Sequence, residues 1–442
     1  MTMGSLVLLL VVLAAALSPV ARCTAERDVG FQLKLTHVDG RAAPAYTKLQ
    51  LLMRAVDRSR ARVAALSAVA AVADPITAAR ILVRASQGEY LVDLAVGTPP
   101  VEYTAIVDTG SDLVWTQCAP CMLCSDQPTP FFQPNRSATY RLVPCGSPRC
   151  AALPYPSCFH GVCVYQYYYG DYASSAGVLA QEAFTFGAAN STKVRVPGVA
   201  FGCGNVNAGN LANSSGMVGL GRGPLSLVSQ LGPSRFSYCL TSFLTPAPSR
   251  LSFGAMASLD STNTSDGAPV QSMPFVLNAA LPSMYFLSLQ GISLGDTRLR
   301  VDPLAFAIND DGTGGCMIDS GTSITYLYQD AYEALRRELL SVVRLRSVHD
   351  TAIGLDTCFP WPPPPSVTVT MPDLVLHFDR ANMTVPPENY MLIDSATGFL
   401  CLAMAPSGDG TIIGNYQQQN LHVLYDIANS LLSFVPAPCN IA

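Results

Sequence analysis

The hexapeptide Ile-Val-Asp-Thr-Gly-Ser at residues 106–111 recurs in the second half of the chain as Met-Ile-Asp-Ser-Gly-Thr at 317–322. Each copy is followed about a hundred residues later by an apolar-apolar-Gly element, which ends at Gly219 in the first half and at Gly414 in the second. A repeated order of this kind indicates two structural units built on one plan. The sequence therefore predicts two β lobes related by a pseudo-twofold axis, and the cleft between them is the expected site.

The segments around these turns have the composition of short strands. Residues 89–96 and 101–107, separated by Gly-Thr-Pro-Pro, predict a hairpin that leads into Asp108. The clearest helix is predicted at 329–344, and the Pro-rich run 361–365 predicts a loop. The expected fold class is all-β, with further strands at 162–169, 285–289, 367–370 and 431–435.

The two acidic turns carry the chemistry that the sequence offers. Gly110 and Gly321 allow a sharp turn, and their exposed N–H groups can hydrogen-bond the carboxylates of Asp108 and Asp319. Two facing carboxylates cannot both ionise cheaply, so they share one proton over an acidic pH range. The charged member can take a proton from a water molecule while the protonated member hydrogen-bonds a carbonyl that becomes tetrahedral. Peptide hydrolysis needs this state, and the neighbouring hydroxyl residues are expected to support it: Thr109, Ser111, Ser320 and Thr322.

Other catalytic schemes lack their sequence motifs. The chain contains no Gly-x-Ser-x-Gly, no His-Glu-x-x-His and no Gly-x-x-x-x-Gly-Lys. The glycines at 219, 221 and 223 lack the spacing and the βαβ setting of a nucleotide loop. Cys118-x-x-Cys121-x-x-Cys124 allows metal ligation, but disulfides are favoured in a cysteine-rich secreted segment. We therefore expect no cofactor and no metal.

Charge and targeting features indicate the compartment. The formal net charge is −5 and Lys occurs only at 34, 48 and 193, which argues against a nucleic-acid partner. An apolar run at 6–17 followed by Ala21-Arg22-Cys23 predicts a signal peptide over residues 1–23, with a membrane anchor as the alternative. Fourteen cysteines and five Asn-x-Ser/Thr sequons agree with secretion. After signal removal the protein is expected to be a secreted monomer without a membrane anchor, extracellular or alternatively vacuolar.

Residues 24–86 differ in charge from the rest of the chain. They hold ten basic and five acidic residues and no cysteine, whereas the remainder beyond them is acidic. Apolar residues at 49, 52, 53, 56, 63 and 66 predict a helix in this segment. A basic leader on an acidic body predicts a removable inhibitory prosegment, and a disordered basic linker is the alternative.

Several longer motifs resemble the pepsin-like aspartic protease family, and within it the plant nepenthesin-type branch. They extend over essentially the whole chain from Phe31. They are FQLKLTHVD at 31–39, EYLVDLAVGTPP at 89–100, VDTGSDLVWTQC at 107–118, FGCG at 201–204, GLGRGPLSLVSQL at 219–231, FSYC at 236–239 and IIGNYQQQN at 412–420.

The resemblance implies a bilobal fold with lobes at 87–265 and 266–442. It also implies an enzyme that hydrolyses protein or peptide substrates at acidic pH. It also implies a flap whose tyrosine is Tyr169, followed by Gly170 and Asp171, and an indole partner at Trp115. Without the resemblance, the tyrosines at 165–172 would equally well form an aromatic strand. After Asp171 this chain has Tyr172-Ala173-Ser174, where many relatives have Gly-Ser.

The resemblance also bears on the cysteines. It implies a cysteine-rich insertion between Cys118 and Cys163 and a disulfide between Cys358 and Cys401. Other pairings stay open. Cys316 has no obvious partner and is either a buried apolar residue or a reactive thiol. The disulfide candidates are Cys118, Cys121, Cys124, Cys145, Cys150, Cys158, Cys163, Cys203, Cys239, Cys358, Cys401 and Cys439.

Two other functional classes compete with the enzyme. Plant relatives with this fold bind glycanases as inhibitors and have lost a catalytic carboxylate or the flap chemistry, so a catalytically weak binding or inhibitor protein is the main alternative. A redox or metal protein built on the cysteines is the weaker one. Both catalytic turns are intact in this chain, which favours the aspartic endopeptidase.

Overall fold

The fold is described from a computed structural model. The residues that it describes are 30–40, 45–70, 90–169, 174–187, 193–209, 211, 214–232, 235–242, 247–259, 267–348 and 355–440. The predicted signal peptide, residues 24–29, 41–44 and 71–86 of the predicted leader, and the flap residues Gly170 and Asp171 lie outside this range.

The first part of the described chain is mostly β. Its two longest strands, Ser174–Phe186 and Val194–Ala208, pair with each other over most of their length. The strands are β1 (Phe31–His37), β2 (Tyr90–Val96), β3 (Val101–Asp108), β4 (Trp115–Gln117), β5 (Arg141–Leu142), β6 (Ser157–Phe159), β7 (Val162–Tyr168), β8 (Ser174–Phe186), β9 (Val194–Ala208), β10 (Gly216–Gly219), β11 (Arg235–Cys239) and β12 (Ser249–Phe253).

The second part has the same character, with shorter strands. They are β13 (Gln271–Val276), β14 (Phe286–Leu287), β15 (Leu289–Leu294), β16 (Thr297–Arg298), β17 (Cys316–Ile318), β18 (Thr325–Tyr328), β19 (Cys358–Pro360), β20 (Leu374–Phe378), β21 (Ala381–Val385), β22 (Met391–Asp394), β23 (Phe399–Leu402), β24 (Met404–Ser407), β25 (Thr411–Ile413), β26 (Leu421–Asp426) and β27 (Leu431–Pro436).

Helices are few among the described residues. The α-helices are α1 (Lys48–Ala70), α2 (Pro148–Ala151), α3 (Leu227–Gln230) and α4 (Gln329–Val343). Short 3-10 turns cover Pro134–Arg136, Gly254–Met256, Pro303–Phe306 and Pro387–Asn389. No described helix is both long and apolar enough to span a bilayer.

The predicted internal repeat is present in the pairing of the strands. β10 runs parallel to β3 with Gly219 opposite Asp108, and β25 runs parallel to β17 with Ile413 opposite Ile318. Side chains at the two repeat glycines are excluded, because a Cβ at Gly219 would collide with the backbone of Asp112 and one at Gly414 with that of Ile324. Each half therefore delivers one acidic turn at the end of a buried strand, and the predicted bilobal all-β fold is confirmed.

A continuous antiparallel sheet joins the halves in the strand order β1, β12, β11, β26, β27, β13. Its first strand, β1, belongs to the predicted leader and also pairs with β2. Phe31, Leu33 and Leu35 of β1 are buried in the main core, where Phe31 stacks on Phe253 with ring centroids 5.0 Å apart. The leader thus contributes a strand to the sheet rather than lying on its surface.

Local predictions differ from the structure at two places. The strand predicted at 285–289 is interrupted between β14 and β15. The strand predicted at 367–370 is wrong, because residues 367–373 form no strand although Val and Thr favour one. Pro364, Pro365 and Pro372 flank the segment and lack the N–H groups that a ladder needs.

Candidate active site

Asp108 and Asp319 lie at the ends of β3 and β17, and the fold brings them together from 211 positions apart in sequence. Both are buried. The backbone of each is held by the neighbouring apolar-apolar-Gly strand: Leu220 N donates to Asp108 O at 2.8 Å and Asp319 N to Ile413 O at 3.1 Å. The two turns face each other across the junction of the lobes, since Thr109 Oγ1 of the first accepts from Ser320 N of the second at 3.0 Å.

Backbone amides inside the turns hold the carboxylates. Gly110 N donates to Asp108 Oδ1 and Gly321 N donates to Asp319 Oδ1, each at 3.0 Å. Hydrogen bonds of this kind fix the rotamer of a carboxylate.

The hydroxyl residues are not arranged symmetrically. Thr109 crosses the junction, where its Oγ1 donates to Asp319 Oδ1 at 3.1 Å and accepts from Ser320 N at 3.0 Å. Thr322 Oγ1 donates to Asp319 Oδ2 at 2.6 Å, whereas Ser111 Oγ donates to the sulfur of Met217 at 3.4 Å. Asp319 is therefore the better supported of the two carboxylates, and Ser111 does not contact Asp108 through its hydroxyl.

The amide side chains of the motif at 412–420 hydrogen-bond the backbone in and around the second turn. Asn415 Nδ2 donates to Ser320 O at 3.0 Å, and Gln418 Nε2 donates to Ile413 O at 2.8 Å. Gln417 Oε1 accepts from Thr325 N at 2.7 Å. These buried amide side chains therefore add hydrogen bonds to the backbone of the second turn and of the strands beside it.

The guanidinium of Arg62, on helix α1 of the leader, lies between the two carboxylates. Its Nη2 donates to Asp108 Oδ1 at 2.7 Å and to Asp319 Oδ1 at 2.8 Å, and its Nε donates to Asp319 Oδ2 at 2.5 Å. Burial alone would lower the pKa of Arg62, but the charges of Asp108 and Asp319 and their hydrogen bonds outweigh it and raise that pKa. Arg62 is therefore charged at every pH at which the protein folds.

The two motif glycines make room for this guanidinium. A Cβ at Gly110 would collide with Nη2 of Arg62, and a Cβ at Gly321 would approach Nη1 to 2.6 Å. Arg62 is buried to 1% exposure, so it fills the space between the turns. Neither water nor a peptide carbonyl can occupy that space while Arg62 is there.

Helix α1 is fixed to the molecule at three further points. Leu52 and Val56 pack into a core that includes residues of the second half, among them Met317. A hydrogen bond of 2.7 Å joins Ser59 Oγ to Ser323 Oγ, next to the Asp319 turn. Asp394 Oδ2 accepts from Leu49 N at 2.9 Å at the start of the helix.

A fourth contact lies within the leader itself. Asp39, which follows β1, is buried and accepts from Arg54 Nε at 3.0 Å and from Arg58 Nη2 at 2.6 Å. Residues 54, 58 and 62 are spaced by four and lie along one helical face. Asp39 thereby connects strand β1 to the helix that carries Arg62.

The aromatic contact implied for the flap is present. Trp115 Nε1 donates to the hydroxyl oxygen of Tyr169 at 2.7 Å, and both side chains are buried. Burial raises the pKa of Tyr169 well above its ordinary value. Tyr169 directly follows β7, which pairs antiparallel with β8. The tyrosine-rich segment is therefore both an aromatic strand and one arm of a hairpin.

Six disulfides account for all twelve candidate cysteines. The structure joins Cys358 to Cys401, as the resemblance implied, and Cys118 of the CxxCxxC segment is bonded outside it, so none of the three is a free thiolate ligand. The pairs are Cys118–Cys203, Cys121–Cys124, Cys145–Cys158, Cys150–Cys163, Cys239–Cys439 and Cys358–Cys401. Cys316 is free and buried, and burial raises the pKa of its thiol.

Sequence reasoning missed Arg62, Ser59 and Asp39. The spacing of Arg54, Arg58 and Arg62 was a usable signal, since a basic stripe on one helical face suggests an acidic counterpart. The spacing of the arginines does not identify the acidic residues that they contact. The contacts of Arg62 span 46 and 257 positions, and such distances are set by tertiary structure alone.

Comparisons with known proteins agree with this architecture. Residues 90–255 match the family described as "Xylanase inhibitor N-terminal", and residues 284–436 match "Xylanase inhibitor C-terminal". The soybean protein in the solved structure "Crystal structure of Basic 7S globulin from soybean" aligns over 80% of this chain and 95% of its own, with 21% identity and a TM-score of 0.61. That likeness concerns the fold.

Relatives with higher identity carry protease names. Aspartic proteinase nepenthesin-1 of Nepenthes gracilis is 42% identical over 93% of this chain and 90% of its own length. Aspartyl protease 37 of Oryza sativa subsp. japonica is 36% identical over 99% of both chains. The fold, the two facing acidic turns and these relatives together show that the chain belongs to the pepsin-like aspartic protease family, in its plant nepenthesin-type branch.

Proposed function

We propose that the protein is a secreted aspartic endopeptidase made as a latent precursor, in which Asp108 and Asp319 activate water and Arg62 blocks them until the medium becomes acidic. The observation that carries this proposal is the guanidinium of Arg62, which contacts both carboxylates at 2.5–2.8 Å. Its position coincides with the place where a reacting water would lie. The leader, proposed as residues 24–86, is then the inhibitory prosegment.

The reaction needs only the chain's own groups and water. With Arg62 displaced, the charged carboxylate removes a proton from a water held between Asp108 and Asp319, and the oxygen attacks the peptide carbonyl. The protonated carboxyl donates a hydrogen bond to the carbonyl oxygen as the carbon becomes tetrahedral. Collapse of this intermediate breaks the C–N bond, and a proton passes to the leaving amine.

Acid releases the block through the charge balance of the buried site. Arg62 stays protonated, so its burial depends on negative charge at Asp108 and Asp319. Breaking a buried ion pair by removing one charge costs about 3–5 kcal/mol, because the other charge is left uncompensated. Protonation of the carboxylates therefore favours withdrawal of helix α1, and the leader becomes accessible to cleavage.

The support around the site fits peptide substrates. Tyr169, hydrogen-bonded by Trp115, follows the strand that leads into the proposed flap, and the cleft lies between the proposed lobes 87–265 and 266–442. Six disulfides agree with a secreted protein, in the apoplast or alternatively the vacuole.

A binding protein without proteolytic activity is the second candidate. It is favoured by the two matched family descriptions, which name xylanase inhibitors. The presence of both carboxylates, each with its amide and hydroxyl support, favours the protease.

The test starts from purified full-length precursor. On acidification we expect loss of the leader and cleavage of denatured casein, both blocked by a pepstatin-type inhibitor. Asp108→Asn and Asp319→Asn should each abolish cleavage. Undiminished turnover in both variants would refute the mechanism, and stable binding of a xylanase without any cleavage by the wild type would establish the second candidate.

A further inference from the structure

The carboxyl of Asp112 joins the first acidic turn to the other half of the molecule. Its Oδ2 accepts from Ser283 Oγ at 2.5 Å, and its Oδ1 accepts from Gly223 N at 2.8 Å. Ser283 lies 171 positions away in sequence, shortly before β14. Asp112 follows Asp108 by four residues, so this bond acts on the segment that carries one member of the catalytic pair.

The glycine run at 219–223 is shaped around Asp112. A Cβ at Gly221 would collide with Oδ1 of Asp112, and one at Gly223 with Oδ2. Gly219 lies against the backbone of the same residue. The spacing that does not fit a nucleotide loop is thus explained by a carboxyl that the loop encloses.

Two more hydrogen bonds connect the same surfaces. Tyr285 Oη donates to Leu220 O at 2.6 Å, and Arg222 N donates to Ser283 O at 3.0 Å. Tyr167 of β7 hydrogen-bonds the backbone of Asp112. The Asp112 segment therefore contacts the glycine loop, the second lobe and the hairpin arm that leads to Tyr169.

We propose that Asp112 is a positioning residue, which fixes the Asp108 turn against Ser283 of the opposite lobe so that Asp108 and Asp319 keep their facing geometry. The inference rests on the proposed catalytic role of that pair. Asp112 does not touch the space between the two carboxylates, which Arg62 occupies, so its effect on the reaction passes through Asp108.

Folding favours the neutral form of Asp112, mainly because its carboxyl is buried. Burial raises the pKa of Asp112, the bonds from Ser283 and Gly223 lower it, and the charge of Asp108 raises it again, with a net upward shift. The other titratable groups facing the site are Tyr167 and Tyr285, and Arg222 lies over the ring of Phe275 at 5.6 Å. Because the folded-state pKa is above the unfolded value, the contribution of Asp112 to stability is complete below about pH 3.9 and is lost as the pH rises through the folded-state pKa.

The variant Asp112→Asn keeps the shape and is neutral at every pH. We expect the fall in Tm of the full chain between pH 4 and pH 7 to be smaller in this variant than in the wild type. After acid activation, we expect the upper limb of its pH–activity profile to lie at a higher pH than that of the wild type. Asp310→Asn, at an exposed aspartate, is the matched control and should behave as the wild type.

Ser283→Ala breaks the bond between the lobes without changing Asp112. We expect about a tenfold loss of kcat at pH 4 with little change in KM, the size of one hydrogen bond to a carboxyl group. An unchanged pH dependence in Asp112→Asn, or a wild-type kcat in Ser283→Ala, would overturn the proposal. If the wild type cleaves no substrate at any pH, the proposed function fails, while the Tm comparison still decides whether Asp112 forms this tie.

Discussion

Nη2 of Arg62 donates a hydrogen bond of 2.7 Å to Oδ1 of Asp108, although the two residues belong to different parts of the chain, a helix of the basic leader and a turn of the acidic body. The same nitrogen reaches Asp319 Oδ1 at 2.8 Å. One side chain therefore compensates the charge of both members of the pair and occupies the space between them. In the proposed function, latency and catalysis therefore depend on the same few atoms.

Replacing Arg62 should weaken latency. Arg62→Ala leaves the fold of the body unchanged but removes the group between the carboxylates, so a pepstatin-type inhibitor should bind the precursor at pH 6 without leader removal. We expect an affinity at least about tenfold above that of the wild-type precursor, since a buried pair is lost. Fluorescence titration measures it.

The matched control for that variant is Arg60→Ala. Arg60 lies on the same helix and forms an exposed pair with Asp57, so its loss should leave inhibitor binding unchanged. Equal binding to the wild type and Arg62→Ala would show that Arg62 does not close the site.

Removing the charge of Asp39 should weaken the attachment of helix α1 to the rest of the leader. Asp39→Asn weakens the bonds from Arg54 and Arg58 and so frees the helix from strand β1. We expect leader loss at pH 5 to accelerate by about tenfold, in line with about 1.5 kcal/mol for hydrogen bonds to a charged group. Gel analysis over time measures it. Asp57→Asn, on the exposed pair, is the control, and identical rates in Asp39→Asn and the wild type would contradict this role.

The bond between Trp115 and Tyr169 should report on substrate binding. Tyr169→Phe removes the hydroxyl, and we expect a loss of kcat/KM of about threefold to tenfold, the range for one neutral hydrogen bond. Steady-state kinetics on a peptide substrate measures this loss.

The chain has two tryptophans, Trp115 and Trp361, which allows a fluorescence check. The change in tryptophan fluorescence on inhibitor binding should persist in Trp361→Phe and vanish in Trp115→Phe. A signal that follows Trp361 instead would separate Trp115 from the cleft.

Cys316 should be inert in the native protein. Its thiol is buried and burial raises its pKa, so little thiolate is available to react. Iodoacetamide at pH 8 should leave it unmodified for hours and should label it fully after denaturation without reduction. Peptide mass spectrometry distinguishes the two. Native labelling at Cys316 would favour the alternative of a reactive thiol.

The sequence by itself determined the two acidic turns, the glycines that support them and the repeat that relates them. These features depend on local chemistry: a sharp turn needs Gly110 and Gly321, and helix α4 follows from the spacing of its apolar residues, with an end at Arg344 in the left-handed region at φ 53°. The resemblance implied the contact between Trp115 and Tyr169 and the disulfide between Cys358 and Cys401, which local pattern alone does not specify.

Tertiary structure alone decided what occupies the site and what holds the lobes together. Asp39, Arg62 and Asp112 look like ordinary charged residues in the sequence, because partners 15, 46 and 171 positions away are not identified by any local pattern. The physical reason is that a buried charge is tolerated only opposite its counter-charge or its hydrogen-bond donors, and the packing of the whole chain sets that pairing.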